Sequence, residues 1–137
     1  MKDYKNINNP DIEKIVKIVS NYYKIPIELI RSKNRRREFK TCRFFVFKYV
    51  KDYIGYSWAT IGAIFDQDHT TSMNGYKTIN NLIETEYQIR IDNDEMESRV
   101  INSLIVYRTI EDIKYYMLQK TISRQKKSEY FRKGLKR

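Results

Sequence analysis

The sequence has few of the residues that break regular structure or build chemical centres. Its 137 residues include four glycines, two prolines, one cysteine and one histidine. So few turn-forming residues argue against a many-stranded sandwich or barrel and favour long helices. A single cysteine, Cys42, cannot form an internal disulfide, which fits a reducing intracellular setting. The one histidine, His69, has no second histidine or nearby cysteine, so a zinc site and a nucleophilic triad both lack partners.

Long apolar runs and phosphate-binding loops are missing as well. No stretch approaches the roughly 20 apolar residues that span a bilayer, and the N-terminus lacks the apolar core of a signal peptide. The four glycines lie at positions 55, 62, 75 and 134, and none belongs to a GxxxxGK[ST] loop. We therefore expect no membrane partner, no ATPase activity, no enzyme, no small-molecule substrate, and neither a cofactor nor a metal.

Positive charge is abundant and is confined to two blocks. The formal net charge is +10. Nine basic residues lie from Arg31 to Lys51 against one acidic residue, Glu38, and residues 114–137 carry a balance of about +8. The residues between the two blocks are acidic on balance. Such segregation favours binding to a polyanion, because solubility would be served equally well by scattered charge.

The spacing of apolar residues predicts an all-α fold, a compact helical bundle. Asn9 and Pro10 have the residue types of a cap and a first helical position. Pro26 is expected to open a second, short helix, and Gly55 to close a third, long amphipathic one. The predicted segments are a helix after Asn9, a short helix to Ile30, a polar basic loop at Ser32–Arg37, and a long helix with Phe39, Cys42, Val46, Tyr49, Val50 and Tyr53 on its inner face.

The middle of the chain predicts a helix-turn-helix. Ser57 is a suitable cap for a helix over Trp58–Phe65, a tight connection follows, and Asp68 caps the next helix. Two helices joined by so few residues are the layout of that motif. A helix that enters the major groove presents its first turn to base edges, so short donors and acceptors are needed there.

The C-terminal third is expected to extend the bundle. We predict an acidic break at Thr85–Asp94, then one long helix from about Glu95 towards Ser123, and a basic tail at Arg124–Arg137. The acidic residues near the start of this helix are interpreted as a helix-start charge bias; they are Asp92, Asp94, Glu95 and Glu97. The tail either clamps phosphates without sequence preference or docks on an acidic protein neighbour.

From Ile12 onward the sequence resembles the C-terminal DNA-binding domain of the bacterial replication initiator DnaA. The similar segment runs from IEKIVKIVSNYYKIPIELIRSKNRRREFKTCRFFVFKYVKDYIGYSWATIGAIF through DQDHTTSMNGYKTINNL and extends to about Leu104. Helix, short helix, basic loop, long helix and helix-turn-helix follow in the family order. The resemblance implies a helix-turn-helix domain at residues 1–105, with a helical extension and basic tail at 106–137, in the cytoplasm of a bacterial cell.

The resemblance also implies roles for individual residues in binding double-stranded DNA. Base contacts would come from Arg35 in the minor groove and from the Asp-His-Thr-Thr signature in the major groove, which is Asp68, His69, Thr70 and Thr71. Phosphate contacts, which position a domain without reading sequence, would come from Lys33, Arg36, Arg37, Arg43, Lys51, Ser57 and Lys77. Without the resemblance, the basic loop would be interpreted as a solvated surface and His69 as an ordinary surface histidine.

The sequence departs from the family pattern around the signature. Asp66-Gln67 stands where the family has Gly-Gly-Arg, which removes one residue and one positive charge. Other departures are Trp58-Ala59 for Leu-Pro, Phe44 for a polar residue, Asn74 for histidine, and Thr78 for a base. These changes reduce the positive charge around an intact recognition turn.

Two functions from different classes follow from these observations. The first is a sequence-specific double-stranded DNA-binding protein that acts in replication or transcription control, with a phage or mobile element as a candidate source. The second is a structural subunit of a larger assembly, such as a ring or connector of a virion. In that case residues 95–137 would form self-association or assembly contacts, and the location would include the virion.

Overall fold

The computed structural model describes residues 9–105 and 117–122. The chain divides into two compact units, Met1–Ser103 and Leu104–Arg137. The described residues contain helices and no strand, in agreement with the predicted all-α class. The helices are α1 (Pro10–Tyr23), α2 (Ile27–Arg31), α3 (Arg37–Tyr53), α4 (Trp58–Ala63), α5 (His69–Thr85) and α6 (Tyr87–Ile105), and residues 117–122 are also helical.

The helix ends follow the local rules of capping. The side chain of Asn9 accepts a hydrogen bond of 2.8 Å from the backbone N–H of Asp11, and Pro10 is the first helical residue. Gly55 follows α3 with a φ of 84°, in the left-handed region that glycine tolerates best. Both predicted signals are therefore confirmed.

Helix α3 is the centre of the bundle. It packs against α1, α2, α4 and α5. Four of its aromatic side chains, Phe39, Phe45, Phe47 and Tyr49, lie in the core, where the rings of Phe45 and Tyr49 stack with centroids 5.8 Å apart. Phe47 packs against Phe65 at 5.7 Å, which brings the segment after α4 onto α3. Each fully buried apolar side chain of this kind contributes about 1.5–3 kcal/mol relative to exposure, so the core fixes where α4 and α5 lie.

The acidic stretch before Glu95 is helical, which corrects the predicted break at Thr85–Asp94. Only Glu86 separates α5 from α6. Asp92 is buried in α6 and accepts hydrogen bonds from the hydroxyls of Tyr22 at 2.7 Å and Tyr23 at 2.8 Å. The sequence pattern was misleading because a run of Asp and Asn favours a loop locally. Here the tertiary structure supplies partners for it.

Tyrosine hydroxyls attach α6 to the bundle at two further positions. The hydroxyl of Tyr49 donates to the side-chain oxygen of Asn93 at 2.8 Å, and that of Tyr53 to Glu97 at 2.6 Å. Burial raises the pKa of Tyr49 well above its ordinary value, so this hydroxyl stays a donor at every physiological pH. Asp92 and Glu97 are therefore acceptors at a helix interface, and Asp94 and Glu95 are exposed; none of the four lies in the first turn of α6, so the predicted helix-start bias is wrong.

Two other predictions differ from the structure or lie outside it. Helix α4 ends at Ala63 rather than at Phe65, and residues 64–66 form the turn. The tail at Arg124–Arg137 and residues 106–116 of the predicted long helix lie outside the described residues. Over residues 9–105 and 117–122, every helix is too short or too polar to cross a bilayer.

Candidate nucleic-acid interface

The connection between α4 and α5 is a tight turn built on Gly62. The backbone N–H of Gln67 donates to the carbonyl oxygen of Gly62 at 2.9 Å, and Asp66 adopts a left-handed φ of 55°. A Cβ atom on Gly62 would lie 2.5 Å from the carbonyl oxygen of Asp68. The hydroxyl of Ser72 donates to the carbonyl oxygen of Trp58 at 2.7 Å, which fixes the start of α5 against the start of α4. The residues thus form the predicted helix-turn-helix.

The first turn of α5 divides the signature residues into two pairs. The Asp68 carboxylate accepts from the backbone N–H of Thr71 at 2.8 Å and from the Thr71 hydroxyl at 2.9 Å. Those hydrogen bonds, the backbone one above all, lower the pKa of the Asp68 carboxyl. His69 and Thr70 are exposed and lie between the two. Asp68 and Thr71 therefore hold the helix start, whereas His69 and Thr70 are exposed and make only a long contact with each other, 3.5 Å between the Thr70 hydroxyl and His69 Nε2.

We expect Asp68→Ala to loosen this turn and Asp68→Asn to preserve it, because asparagine caps about as well as aspartate. In the wild-type protein the stabilisation is present above the ordinary carboxyl pKa of 3.8 and is lost as pH falls through the lowered value of the folded state. The protection of the Thr70 and Thr71 amide hydrogens against exchange, followed from pH 6 to pH 3, measures this stabilisation. Equal protection in the wild-type protein and in Asp68→Ala would contradict the capping role.

The basic loop between α2 and α3 is held from inside by Arg43. This side chain is only 3% exposed. Its Nε donates to the carbonyl oxygen of Ile30 at 2.7 Å, and one Nη donates to those of Ser32 at 2.6 Å and Asn34 at 2.7 Å. Burial lowers the pKa of the guanidinium, which remains charged at neutral pH. Because these donors are directed at backbone carbonyl oxygens rather than at solvent, the geometry gives no support to the predicted phosphate contact of Arg43, which stays a prediction.

The basic loop also reaches the turn of the helix-turn-helix. The Lys33 ammonium lies 3.6 Å from the Asp66 carboxylate, and an Nη of Arg31 donates to the carbonyl oxygen of Ile64 at 3.5 Å. The structure thereby places the loop beside the turn that leads into α5. Arg35, the residue predicted to enter the minor groove, is exposed on this loop, and its groove contact stays a prediction.

The other residues predicted to contact phosphate occupy different settings. Arg36 and Lys77 are exposed, and Arg37 pairs with Glu86 at 3.2 Å. The Lys51 ammonium donates to the carbonyl oxygen of Tyr56 at 3.2 Å and lies 4.5 Å from the centre of the Trp58 ring. Ser57 caps α4 by accepting from the backbone N–H of Thr60 at 3.3 Å. A phosphate contact by these residues stays a prediction.

One face of α5 is exposed along its length. Thr70, Asn74, Lys77 and Asn81 are spaced by three or four residues, so they lie on the same side of the helix, and all four are exposed. The opposite side is buried at Ser72, Gly75 and Ile79. The sequence analysis singled out neither Ser72 nor Gly75 as an inward-facing position of this helix. Small residues at helical spacing would have been the signal, because they allow α5 to approach α3 and α4 closely.

The described residues offer this interface no metal centre. Over residues 9–105 and 117–122, no three side chains of His, Cys, Asp or Glu come together as a ligand set. Burial raises the pKa of the Cys42 thiol to about 12, so it remains a thiol at neutral pH.

Comparison with known proteins identifies what the segment resembles. Residues 12–79 match the family model described as bacterial dnaA protein helix-turn-helix. The chromosomal replication initiator protein DnaA of Flavobacterium psychrophilum is 33% identical over 72% of this chain and 21% of its own length. The DnaA proteins of Lactococcus lactis subsp. cremoris and Bdellovibrio bacteriovorus are 29% and 28% identical over 69% and 66% of this chain. The chain spans about a fifth of the length of these curated relatives.

Proposed function

Because residues 12–79 make this chain a member of the bacterial DnaA helix-turn-helix family, we propose that it binds double-stranded DNA through one surface. That surface, the α5–loop surface, consists of the first turn of α5 and the basic loop between α2 and α3, residues 32–36. The name shared by the relatives suggests replication control as the setting, and transcription control would use the same surface.

The observation that carries the proposal is the exposed pair His69 and Thr70 beside an exposed basic loop. A helix of this diameter fits the major groove, where an imidazole and a hydroxyl can exchange hydrogen bonds with base edges. Thr70 can also pack its methyl group on a thymine. Direct base contacts by Asp68 and Thr71 stay predictions, since these two side chains bond to each other.

Arg35 supplies the second contact in the proposal. It lies on the loop that Arg43 holds in place and that Lys33 joins to the helix-turn-helix. A guanidinium is favoured in a narrow, AT-rich minor groove by its negative potential. Loop and helix would then bind adjacent grooves of one duplex, and exposed cations such as Arg36 and Lys77 would contact the phosphates between them.

Selection of duplexes from a random pool at stated salt, followed by fluorescence anisotropy, tests the proposal. Arg35→Ala and Thr70→Ala should each weaken binding to a selected duplex by about 1–3 kcal/mol and relax the sequence preference. Lys77→Ala should weaken selected and random duplexes alike and make the salt dependence less steep. Ser98→Ala, which removes an exposed hydroxyl on α6, is the matched control and should change nothing.

Two outcomes would reject the proposal. Equal losses on selected and random duplexes for Arg35→Ala and Thr70→Ala would exclude direct reading of bases. A stable high-order ring in size-exclusion chromatography with light scattering, indifferent to added duplex, would instead favour the structural-subunit function. A monomer or dimer that shifts a duplex supports DNA recognition.

A further inference from the structure

The turn between α4 and α5 carries a negatively charged side chain next to the surface that we propose binds DNA, although DNA is itself a polyanion. Asp66 occupies the left-handed position of the turn, two residues before the cap of α5. Its side chain is 90% exposed. The carboxylate therefore points into solvent at the border between the basic loop and the recognition turn.

The Asp66 carboxylate differs from that of Asp68. The Asp68 charge is stabilised locally, because its oxygen accepts the Thr71 N–H at the positive end of α5. The ion-pair partner of Asp66 is instead Lys33, a loop residue at 3.6 Å whose side chain is 83% exposed. Such an exposed pair is weak in itself, so either partner can exchange it for another ion.

From this geometry we infer that Asp66 limits how tightly the α5–loop surface holds duplex DNA. It does so by pairing with Lys33 in the unbound protein and by placing a carboxylate next to the phosphates. This inference rests on the proposed function. A phosphate that approaches Lys33 must displace Asp66, so the counterion release expected from one lysine is lost in part. The effect is electrostatic and applies to every sequence, unlike the contacts of Thr70 and Arg35.

A double-mutant cycle on DNA affinity tests the inference. Asp66→Asn keeps the shape and the tolerance for a left-handed φ but removes the charge. It should tighten binding by about threefold to fivefold at low salt, equally on selected and random duplexes. The slope of log K against log salt should steepen by at most about 0.9, the value for one complete additional phosphate contact, and the gain should shrink at high salt.

Removing the Lys33 side chain should lower duplex affinity only when the Asp66 charge has been removed by substitution. Lys33→Ala should change the affinity of the wild-type protein little, and should abolish the gain in the Asp66→Asn background. Asp94→Asn, which removes an exposed carboxylate from α6, is the control of equal charge and should give a smaller gain.

The outcomes separate this inference from the proposed function. If the wild-type protein binds duplex and Asp66→Asn gains no more affinity than Asp94→Asn, then Asp66 does not limit affinity, and the proposed DNA binding is unaffected. The same conclusion follows if Lys33→Ala weakens duplex binding equally in the wild-type and Asp66→Asn backgrounds. If neither the wild-type protein nor Asp66→Asn binds any duplex, both proposals fail. If Asp66→Asn binds duplex and the wild-type protein does not, both proposals are supported, because Asp66 then suppresses almost all DNA binding in the natural sequence.

Discussion

Replacing Arg43 with lysine should lower the free energy of unfolding by about 2–4 kcal/mol, and should also weaken binding to a selected duplex. The guanidinium makes three hydrogen bonds to the carbonyl oxygens of Ile30, Ser32 and Asn34. A lysine ammonium has no planar fork and cannot reach all three at once. At least one buried carbonyl would lose its partner, and the basic loop would lose its fixed shape. Urea denaturation and fluorescence anisotropy measure the two effects.

Arg37→Lys is the matched control, because it makes the same chemical change at an exposed side chain. Arg37 is 77% exposed and pairs with Glu86 at the surface, so a change within about 0.5 kcal/mol is expected. If Arg43 affects DNA binding only by placing Arg35, the double variant Arg35→Ala/Arg43→Lys should bind no more weakly than the worse single variant. Additive losses would show that Arg43 contacts the duplex itself, and unchanged stability in Arg43→Lys would contradict its structural role.

Gly62→Ala should lower the free energy of unfolding by about 2–3 kcal/mol, although alanine is the better helix former by up to about 1 kcal/mol. The new methyl group would lie 2.5 Å from the carbonyl oxygen of Asp68 and 2.6 Å from that of Gln67. Both atoms belong to the backbone of the turn, so relief requires moving α5 away from α4. Thermal unfolding measures the loss, and weaker DNA binding should accompany it, because His69 and Thr70 move with the turn.

Gly75→Ala provides the contrast for this prediction. A Cβ there would meet the ring of Phe44 at 2.6 Å and that of Phe47 at 2.9 Å. Phe44 is only partly buried, so its ring can shift and relieve part of the overlap. We therefore expect a smaller loss than for Gly62→Ala, and a larger one would contradict the importance of the turn backbone. Asn81→Ala, at an exposed position of α5, should be neutral or slightly stabilising.

Features set by a few neighbouring residues were predictable from the sequence. Asn9 with Pro10, Ser57 and Asp68 each start a helix where their capping chemistry predicts, and the family model covers the segment that the Asp-His-Thr-Thr signature identified. Capping involves hydrogen bonds within three residues, so the remainder of the chain has little influence on it. The candidate site could be located for the same reason.

Features that depend on distant partners were missed. Asp92 lies within a helix because Tyr22 and Tyr23, some seventy residues earlier, donate to it. Arg43 has the spacing of an outward-facing basic residue, yet it is buried and donates to carbonyl oxygens of α2 and of the loop that precedes α3. For Asp92 the local pattern predicted a loop instead of a helix, and for Arg43 it predicted the exposed side of the helix instead of the buried side. Both predictions were wrong because a polar side chain can be buried where the fold satisfies its hydrogen bonds.

The amino-acid sequence alone determined the helical class, the starts of α1, α4 and α5, and the family, since these depend on short-range spacing and capping. The tertiary structure decided which charges face solvent: it turned Arg43 inward and brought Lys33 beside Asp66. The physical reason is that a charge is stabilised by whatever group the fold brings within hydrogen-bonding or ion-pairing distance, and those groups lie far apart along the chain.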